Sequence, residues 1–432
     1  MFGKGKLAWL ILALVHILVA AVGFVMNSNQ TADSAEYLHQ ATNLREHLSF
    51  YCGEWSAAFI PERFSLRPPG YGVFLSLTSW GSANLLLPVF LQIVISLATI
   101  YIAWKCVRII SGKQVNSWLF LIPLTGFLTQ FIYSGMIMSE ILFQFFLISA
   151  IACAIMFHHS GMFKWVIGFQ VALAVAMLIK PVMWLFPLVS FPMIVWLYSG
   201  SGFSKKLYLS FLIPFIIIGG MHFRNYSLTG VAEYSSVSRK LMINYNIPAL
   251  LEQRVSREEA AFIIDSLQNS VSGLTYAERA EEIDTYSRNL IQEAPLDYFL
   301  LHIKGMLRFF MDTGRWELRN YFQLQISWQS LGEAGGSAQY LKQWSPSAIV
   351  YQIYCVIINL LLLYALIRFA FNKIVDFRNR RILIGVILYL ALLTGPSASS
   401  RFRLPAFPLQ LVAWGVLIAH SSGKLRSTPL NV

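Results

Sequence analysis

Long apolar runs alternate with short polar connections along the chain, and this pattern predicts membrane-spanning helices. A bilayer core about 30 Å thick requires roughly 20 apolar residues in each helix. We identify about ten such runs, at residues 7 to 26, 84 to 104, 116 to 135, 138 to 157, 163 to 179, 182 to 199, 207 to 222, 347 to 367, 382 to 398 and 404 to 420. The pattern therefore predicts an all-α polytopic membrane protein.

Two stretches between these runs predict helices that do not cross the bilayer. The stretch RPPGYGVFLSLTSW, residues 67 to 80, is too short to span, and Pro68 and Pro69 suit only a helix start, so we predict a short helix against the outer leaflet. Within residues 223 to 346, SREEAAFIIDSLQ and YAERAEEIDTYSRNLIQ have helical periodicity with charged faces. PLDYFLLHIKGMLRFFM mixes bulky apolar residues with bases, as in an interfacial helix.

These runs divide the chain into three parts. Residues 1 to 222 form an N-terminal transmembrane module that includes a first external loop at 27 to 83, residues 223 to 346 form an external helical segment, and residues 347 to 432 form a C-terminal transmembrane module. The first run is about 19 residues long, which favours an uncleaved anchor over a signal peptide.

Composition excludes a soluble globular protein, because 56% of the 432 residues are hydrophobic, 12% are charged and the mean hydropathy is +0.58. The net charge of +12 is better explained by topology than by nucleic-acid binding. With a cytoplasmic N-terminus, the inside connections carry a single acid, Asp376, against many bases: Lys4, Lys6, Lys105, Arg108, Lys113, Lys164, Lys205, Lys206, Arg368, Lys373, Arg378, Arg380, Arg381, Lys424 and Arg426. This sorting places both termini in the cytoplasm.

The same topology gathers several charged residues on the external side, at the ends of spans. Charges near hydrocarbon are costly, and those that persist usually face a cavity and pair with a polar group. A shared pocket at the outer membrane boundary is therefore predicted for Asp33, Arg67, Glu140, Lys180, Arg224, Arg401 and Arg403.

Asp33 has two interpretations from the sequence. It is either a solvated loop acid or a general base whose pKa is raised by desolvation at the lip of an apolar cavity. Glu36, one helical turn later, either orients Asp33 or contacts solvent only.

The other charged residues also leave alternatives open. Arg401, Arg403 and Lys180 are either bases that snorkel to the interface or phosphate ligands. Glu140 begins a span, where the helix dipole alone favours an acid. Arg224 could pair with an acid of the external segment.

No Walker loop, dinucleotide fingerprint, GxSxG elbow or HExxH motif is present. A reaction driven by cytoplasmic nucleotide is therefore disfavoured. An enzyme on the external side needs an activated substrate delivered through the membrane, and a lipid-linked phosphate donor suits the basic residues at the outer rim.

Six motifs in this order give the chain a family resemblance: DSAEYLHQATNL, LRPPGYGVFLSL, MSEILFQFF, LIKPVMW, FRNYSLTG and RFRLPAFP. The set resembles the GT-C superfamily of polyprenyl-phosphate-sugar glycosyltransferases, in its bacterial protein-mannosyltransferase-like and aminoarabinose-transferase-like branch. The resemblance extends from residue 33 to about residue 410 and implies a GT-C fold. The long external segment resembles no family that we can name.

The resemblance implies roles for individual residues. Asp33 matches the family's catalytic base, Tyr37 the aromatic residue that follows it, and Glu140 the acid of an SE-like motif. Arg67 and Tyr71 belong to an RPPGY-like element. Further substrate-binding positions are the bases near the last spans, Arg401 and Arg403, together with Lys180 and Arg224.

The implied reaction transfers a sugar from a polyprenyl-phosphate donor to a lipid, glycan or protein acceptor in one inverting displacement. It requires no cofactor. A divalent metal is the alternative, although Ser34 stands where many relatives have a second acid. The resemblance places the active site on the periplasmic face of a bacterial inner membrane, in modification of lipopolysaccharide or another cell-envelope glycan.

Two other functions would use similar features. A transporter or flippase of lipid-linked sugars also needs external charges and an apolar cavity, although the inverted repeats typical of many transporters are absent from the sequence. A polymerase or ligase of surface glycans would share the donor.

Overall fold

The computed structural model describes residues 4–79, 84–198, 205–324 and 346–421, and within these ranges it contains helices and no strand. The predicted all-α class is therefore confirmed. Residues 325 to 345 of the predicted external segment, the end of the first external loop at 80 to 83, and Lys424 and Arg426 lie outside the described residues.

Among the described residues, seven helices are long and apolar enough to cross a membrane. They are Gly5–Val25, Leu86–Ser111, Glu140–Ser160, Lys205–Thr229, Pro346–Ala370, Phe377–Ser397 and Ser400–Ser421. The Lys205–Thr229 span consists of Lys205–Ser210 and Leu212–Thr229, and the last contains Ser400–Arg403, a 3-10 turn at Leu404–Ala406 and Phe407–Ser421. Each coincides with a predicted apolar run.

The other three predicted runs are helical but not straight, full-length spans. Ser117–Thr125 and Thr129–Gly135 meet at 79°, at a break that follows Pro123. Phe163–Ile179 is shorter than a full span, and a 3-10 turn at Pro181–Met183 separates it from Phe186–Tyr198. Proline lacks the backbone N–H and clashes with the preceding turn, which accounts for both interruptions.

A hydrogen-bonded chain of neutral side chains crosses the buried interior of this helix bundle. His16 donates from Nδ1 to the Leu12 carbonyl (2.8 Å), so in the neutral ring Nε2 accepts from Ser96 (2.9 Å). Gln130 donates to Ser96 (2.8 Å) and exchanges two hydrogen bonds of 2.9 Å with Gln144. Each of these four side chains is fully buried, so the chain satisfies polar groups that would otherwise be costly in lipid.

This chain of neutral side chains ends at the segment that precedes the last span. Gln144 donates to the backbone carbonyl of Leu404 (2.6 Å), three residues after Arg401. The first four apolar runs are thereby tied to the entrance of the tenth.

Short helices fill the connections. Ala32–His47, Glu62–Ser65 and Pro69–Thr78 follow the first span, and the last of them is the short helix predicted at residues 67 to 80. Helices in the external segment are Val237–Leu241, a π turn at Met242–Asn246, Ile247–Leu251, Arg257–Ser270, Tyr276–Glu293, Pro295–Met311 and Arg315–Tyr321.

The external helices have a hydrophobic cluster of their own, separate from the membrane core and including Ile247, Leu250, Ile264 and Leu290. Pro295–Met311 leaves several apolar side chains exposed, among them Leu296 and Leu307, as expected of a helix at the membrane interface.

The other face of Pro295–Met311 approaches a turn of the membrane part very closely. A Cβ atom on Gly305 would lie 2.0 Å from the carbonyl oxygen of Gly395, so only glycine permits this approach. The external segment is thereby packed against the 3-10 turn Gly395–Ser397, two residues before the helix that carries Arg401.

Candidate active site

Five charged side chains predicted to share a pocket form one continuous row of alternating sign. Asp33 accepts a hydrogen bond from Arg67 through Oδ1 (2.7 Å) and from Arg401 through Oδ2 (2.6 Å). Glu140 accepts from Arg401 (2.6 Å) and from Lys180 (2.8 Å) at the same oxygen, Oε1. We call Arg67, Asp33, Arg401, Glu140 and Lys180 the charge row.

Helix starts position the two acids of the charge row. Asp33 lies in the first turn of Ala32–His47, and Glu140 is the first residue of Glu140–Ser160. The partial positive charge of a helix N-terminus favours a carboxylate at both places. Ser34, which stands where many relatives of the resembled family have a second acid, accepts the backbone N–H of Thr31 (2.8 Å) at this helix start.

Breaks in the helices position the three bases. Lys180 ends Phe163–Ile179 immediately before Pro181, and Arg401 lies in the four-residue helix Ser400–Arg403. Arg67 precedes the two prolines that begin Pro69–Thr78. Because the chain changes direction at each break, these bases can point across the ends of neighbouring spans.

The charge row is only partly open to solvent. Glu140 is fully buried, whereas the side chains of Asp33 and Arg401 are 26% and 25% exposed. Burial of an unpaired charge is strongly unfavourable, so the pairing is required for these groups to lie here. Glu140 Oε2 has no hydrogen-bond partner among the described residues, which leaves one strong acceptor free beside Arg401 and Lys180.

The pKa of Asp33 is shifted in the direction opposite to our expectation. Burial disfavours ionisation, but the charges of Arg67 and Arg401 and the hydrogen bond from Arg401 outweigh it, and the pKa lies well below the ordinary value. The predicted increase by desolvation is therefore wrong for this arrangement of side chains. Asp33 is ionised in it, and two guanidinium groups donate hydrogen bonds to its oxygens.

Glu36 pairs with Arg67 rather than contacting solvent alone. Arg67 Nε donates to Glu36 (2.7 Å), and Lys240 of the external segment lies 3.4 Å from the other oxygen of this acid. With Glu36 included, three acids match the three bases Arg67, Lys180 and Arg401. These six side chains together are therefore close to electrically neutral.

Tyr37 and Tyr71 lie behind Arg67. The guanidinium carbon of Arg67 is 5.0 Å from the centre of the Tyr37 ring, whose hydroxyl bonds with Ser139 (2.9 Å). Tyr71 packs edge-on against Tyr37 and donates to Gln92 (2.6 Å). Both rings are buried, so in this structure they support the arginine rather than line an opening.

Arg224 lies outside the charge row, at the turn that leads to Arg67. It donates to the carbonyl of Phe64 (2.9 Å) and to Asn225 (2.7 Å). Ser235 donates to the carbonyl of Leu66 (2.7 Å) beside it. Arg224 thus holds the backbone that presents Arg67.

Arg403 also lies outside the charge row, although only Phe402 separates it from Arg401. It is 1% exposed, its guanidinium donates to the Phe310 carbonyl and to Asn359, and it lies 4.4 Å above the ring of Phe127. The structure therefore brings together five of the nine predicted site residues, places two tyrosines behind them, and separates Arg224 and Arg403 from them.

A pocket of about 390 Å³ opens beside Asp33 and Arg401. Its other lining residues come mainly from the loop after the first span and from the end of the external segment, and include Asn27, Gln30, Tyr133, Trp316, Glu317, Asn320, Tyr321 and Gln323. A larger cavity of about 550 Å³ lies near His420, at the far end of the last span, and contains no member of the charge row.

Glu317 is a pocket residue that the sequence did not reveal. It is 4% exposed, and its Oε1 accepts the backbone N–H of Arg401 (3.2 Å). Burial, together with the negative charge of Asp312, raises the pKa of this carboxyl above its ordinary value. The motif RWELRNY has no distinctive signal, because burial of its glutamate depends on contacts with distant parts of the chain.

No group of three or more histidine, cysteine, aspartate or glutamate side chains is arranged to hold a metal ion in the part of the chain that the structure describes. Within the charge row, the Arg401 guanidinium stands between the two carboxylates.

Comparison with known proteins gives distant matches only. No protein-family model and no curated protein matches the chain. A crystal structure of ArnT from Cupriavidus metallidurans bound to undecaprenyl phosphate matches 96% of this chain and 77% of that chain, at 13% identity and a TM-score of 0.38. The apo structure of the same protein matches 97% and 78%, at 12% identity and a TM-score of 0.36. Similarity at this level does not establish an activity for this chain.

Proposed function

We propose that the protein is a membrane glycosyltransferase that moves a sugar from a polyprenyl-phosphate donor to an acceptor hydroxyl or amine. The observation that carries this proposal is the position of Asp33, an ionised carboxylate held between two guanidinium groups at the edge of a pocket. Such a transfer needs a general base close to cationic groups that bind the phosphate.

In the proposed reaction, the acceptor oxygen or nitrogen attacks the anomeric carbon while the bond from that carbon to the phosphate oxygen breaks. Asp33 takes the proton of the nucleophile, and the polyprenyl phosphate leaves with the bonding electrons. One displacement inverts the anomeric configuration. The negative charge that develops on the phosphate is stabilised by guanidinium and ammonium groups held in place before the reaction.

The ion pairs of the charge row suggest how donor binding activates the base. Each base is already paired with a carboxylate, so a phosphate must compete with Asp33 or Glu140 for Arg401 and Lys180. A guanidinium that turns toward the phosphate withdraws from Asp33, and the phosphate adds negative charge nearby. Both changes raise the pKa of Asp33 and make it a stronger base in the donor complex.

We further propose an orientation in the membrane. The charge row lies on the periplasmic face of a bacterial inner membrane, both termini are cytoplasmic, and a cell-envelope glycan, lipid or protein is the acceptor. We also propose that residues 1 to 222 and 347 to 432 form two transmembrane modules. Residues 223 to 346 form an external segment between them that contributes to acceptor binding. The basic inside connections in the sequence support this orientation.

The test uses the full chain in lipid nanodiscs with undecaprenyl-phosphate-linked sugars as donors and a cell-envelope extract as acceptor. Asp33→Asn should lower kcat by about 10²–10⁴-fold, because the amide cannot accept the proton. Asp265→Asn, at an exposed position of the external segment, is the matched control and should leave kcat unchanged.

Release of undecaprenyl phosphate and transfer of labelled sugar are the two readouts. Full turnover by Asp33→Asn would refute the assignment of the base. In sealed proteoliposomes, movement of intact donor across the bilayer without cleavage would favour the transporter or flippase instead.

A further inference from the structure

The cavity of about 550 Å³ near His420 lies at the end of the last span that is farthest from the charge row. Arg401 is the second residue of this span and His420 is the second-last. At 1.5 Å per helical residue the two are separated by roughly 30 Å, which is close to the thickness of a bilayer core. The cavity therefore lies at the opposite membrane boundary from the candidate active site.

The cavity is formed where two spans end side by side. Its walls come from the last residues of Pro346–Ala370, the connection that follows this helix, and the last turns of Phe407–Ser421. Apolar side chains make up much of the lining: Ile367, Phe369, Phe371, Ile374, Val416 and Leu417. Phe371 and Ile374 are each 78% exposed, and apolar side chains exposed at the end of a span indicate contact with lipid.

Two basic side chains, Arg368 and Lys373, line the same cavity. Both are exposed, and neither has a hydrogen bond or an ion pair with any residue that the structure describes. Asp376, the single acid predicted for the inside connections, is paired elsewhere, because it lies 3.1 Å from His158 and accepts the backbone N–H of Arg378 (2.8 Å). The described part of the chain thus leaves the two bases without a carboxylate partner.

These features favour an anionic phospholipid over other occupants. A soluble anion would use the two bases but not the apolar walls, whereas a phospholipid uses both. Basic pockets between spanning helices at the cytoplasmic boundary are suited to anionic lipid headgroups. Residues 422 to 432, which follow the cavity in the chain, contain bases and no acidic side chain, so charge complementarity does not favour them.

We propose that this cavity binds the headgroup of one anionic phospholipid of the phosphatidylglycerol class. Arg368 and Lys373 contact its phosphate, and Phe371 and Ile374 contact its acyl chains. With the proposed orientation, this lipid belongs to the cytoplasmic leaflet. The lipid contacts the ends of two spans in the folded protein only, so its binding stabilises the folded state by mass action.

The test measures lipid binding to the full chain in detergent, where the orientation in a membrane plays no role. Native mass spectrometry counts the retained lipids, and thermal unfolding measures the stabilisation. The probe is dioleoylphosphatidylglycerol, and dioleoylphosphatidylcholine is its counterpart without net charge. The wild type should retain one phosphatidylglycerol per chain and unfold at a higher temperature in its presence, and phosphatidylcholine should have neither effect.

Three variants separate the cavity from the general positive charge of this side. Arg368→Ala combined with Lys373→Ala should weaken phosphatidylglycerol binding at least about tenfold, because two charges next to the phosphate are removed. Lys205→Ala combined with Lys206→Ala is the matched control, since it removes two exposed bases outside the cavity and should change the affinity less than twofold. Ser421→Trp, at an exposed position of the lining, fills the cavity without a change in charge and should also weaken binding.

Several outcomes would overturn the lipid site. These are equal stabilisation by the two phospholipids, equal losses in the two double variants, or the same stabilisation by inorganic phosphate at matched concentration. Phosphatidylglycerol that is lost in Arg401→Ala but retained without Arg368 and Lys373 is bound at the charge row, which also overturns the proposal. A wild type that retains no phosphatidylglycerol leaves the cavity to residues 422 to 432 or to a second copy of the chain, and the measured mass separates these two. The transfer reaction is tested independently, through Asp33.

Discussion

Arg401 and Arg403 are separated by one residue, yet they lie in two different regions of the molecule. Arg401 joins two carboxylates at the edge of a pocket, and its side chain is 25% exposed. Arg403 is 1% exposed and contacts a backbone carbonyl, the amide oxygen of Asn359 and an aromatic ring, and no carboxylate of the described residues forms an ion pair with it. Arg401 can exchange its partners for a ligand, whereas the contacts of Arg403 link helices to one another.

The largest expected effect tests Arg401, the partly exposed arginine of the pair. Arg401→Ala should lower kcat by about 10²–10³-fold, because a preorganised charge next to the leaving phosphate is lost. The fold should survive, since Asp33 retains Arg67 and Glu140 retains Lys180. Steady-state kinetics and thermal unfolding of the same preparation measure both quantities.

Arg401→Lys is the matched control and should recover part of the rate. Lysine restores the positive charge but lacks the planar guanidinium that can donate two parallel hydrogen bonds. An Arg401→Ala protein that unfolds but, when folded, turns over normally would contradict a role at the site.

The next effect tests Arg403, the buried arginine of the pair. Arg403→Ala should destabilise the protein by about 3–5 kcal/mol, because it leaves a cavity and unpaired polar groups among the helices. Thermal unfolding in detergent measures this loss. The surviving folded fraction should have a kcat within a few-fold of the wild type and unchanged affinity for undecaprenyl phosphate.

Our sequence prediction for Arg403 was phosphate binding, and this experiment distinguishes the two roles. Reduced affinity for undecaprenyl phosphate with an unchanged unfolding temperature would restore the phosphate-binding role and remove the contrast with Arg401.

A smaller effect concerns pH. The neighbouring guanidinium groups lower the pKa of Asp33, so its carboxylate becomes protonated, and stops acting as a base, only at low pH. In the proposed reaction, donor binding draws Arg401 away and raises this pKa. As the pH is lowered, kcat should therefore begin to fall at a pH roughly one unit or more higher than the pH at which kcat/KM for the donor begins to fall.

Both pH profiles come from rate measurements at saturating and low donor concentrations. If kcat and kcat/KM fall at the same pH, the pairing between Asp33 and Arg401 does not change when the donor binds.

The smallest effect concerns the neutral hydrogen-bonded chain that ends at Leu404. Gln144→Leu removes one donor from the Leu404 carbonyl and leaves the side-chain oxygen of Gln130 without its hydrogen bond, which should cost about 1–3 kcal/mol. The double variant with Gln130→Leu should lose less than the sum of the two single losses, because both halves of one pair are then removed. Strict additivity in thermal unfolding would show that the pair does not act as a unit.

The sequence predicted the helices well because membrane spans are read from length and apolar content alone. All ten predicted runs are helical, and the three that deviate do so near Pro123 or Pro181. The angle of a break depends on neighbouring helices, so the 79° bend before Thr129 could not be predicted.

The charge row was partly predictable for a related reason. Sorting span ends by side was enough to group Asp33 with Glu140 and Arg401, and the structure joins them by direct contacts. The grouping of Arg401 with Arg403 ignored helical geometry. Residues two apart on a helix point about 200° apart, so both side chains cannot face one pocket.

The pKa of Asp33 and the position of Glu317 were beyond the sequence. The sign of the pKa shift depends on whether burial or two nearby guanidinium groups dominate, which requires distances. Glu317 is buried because contacts with the membrane part cover it, and its own segment gives no periodic signal.

The charges of the charge row and Glu36 together are balanced, and this balance has a consequence for selectivity among anions. Small soluble anions such as sulfate gain little from a site whose cations are already occupied by carboxylates, and they must break ion pairs to enter. A lipid anion is anchored in the bilayer, so its local abundance at the membrane surface is high and its entry requires little loss of translational freedom. We expect the wild-type site to ignore moderate concentrations of dissolved competitors.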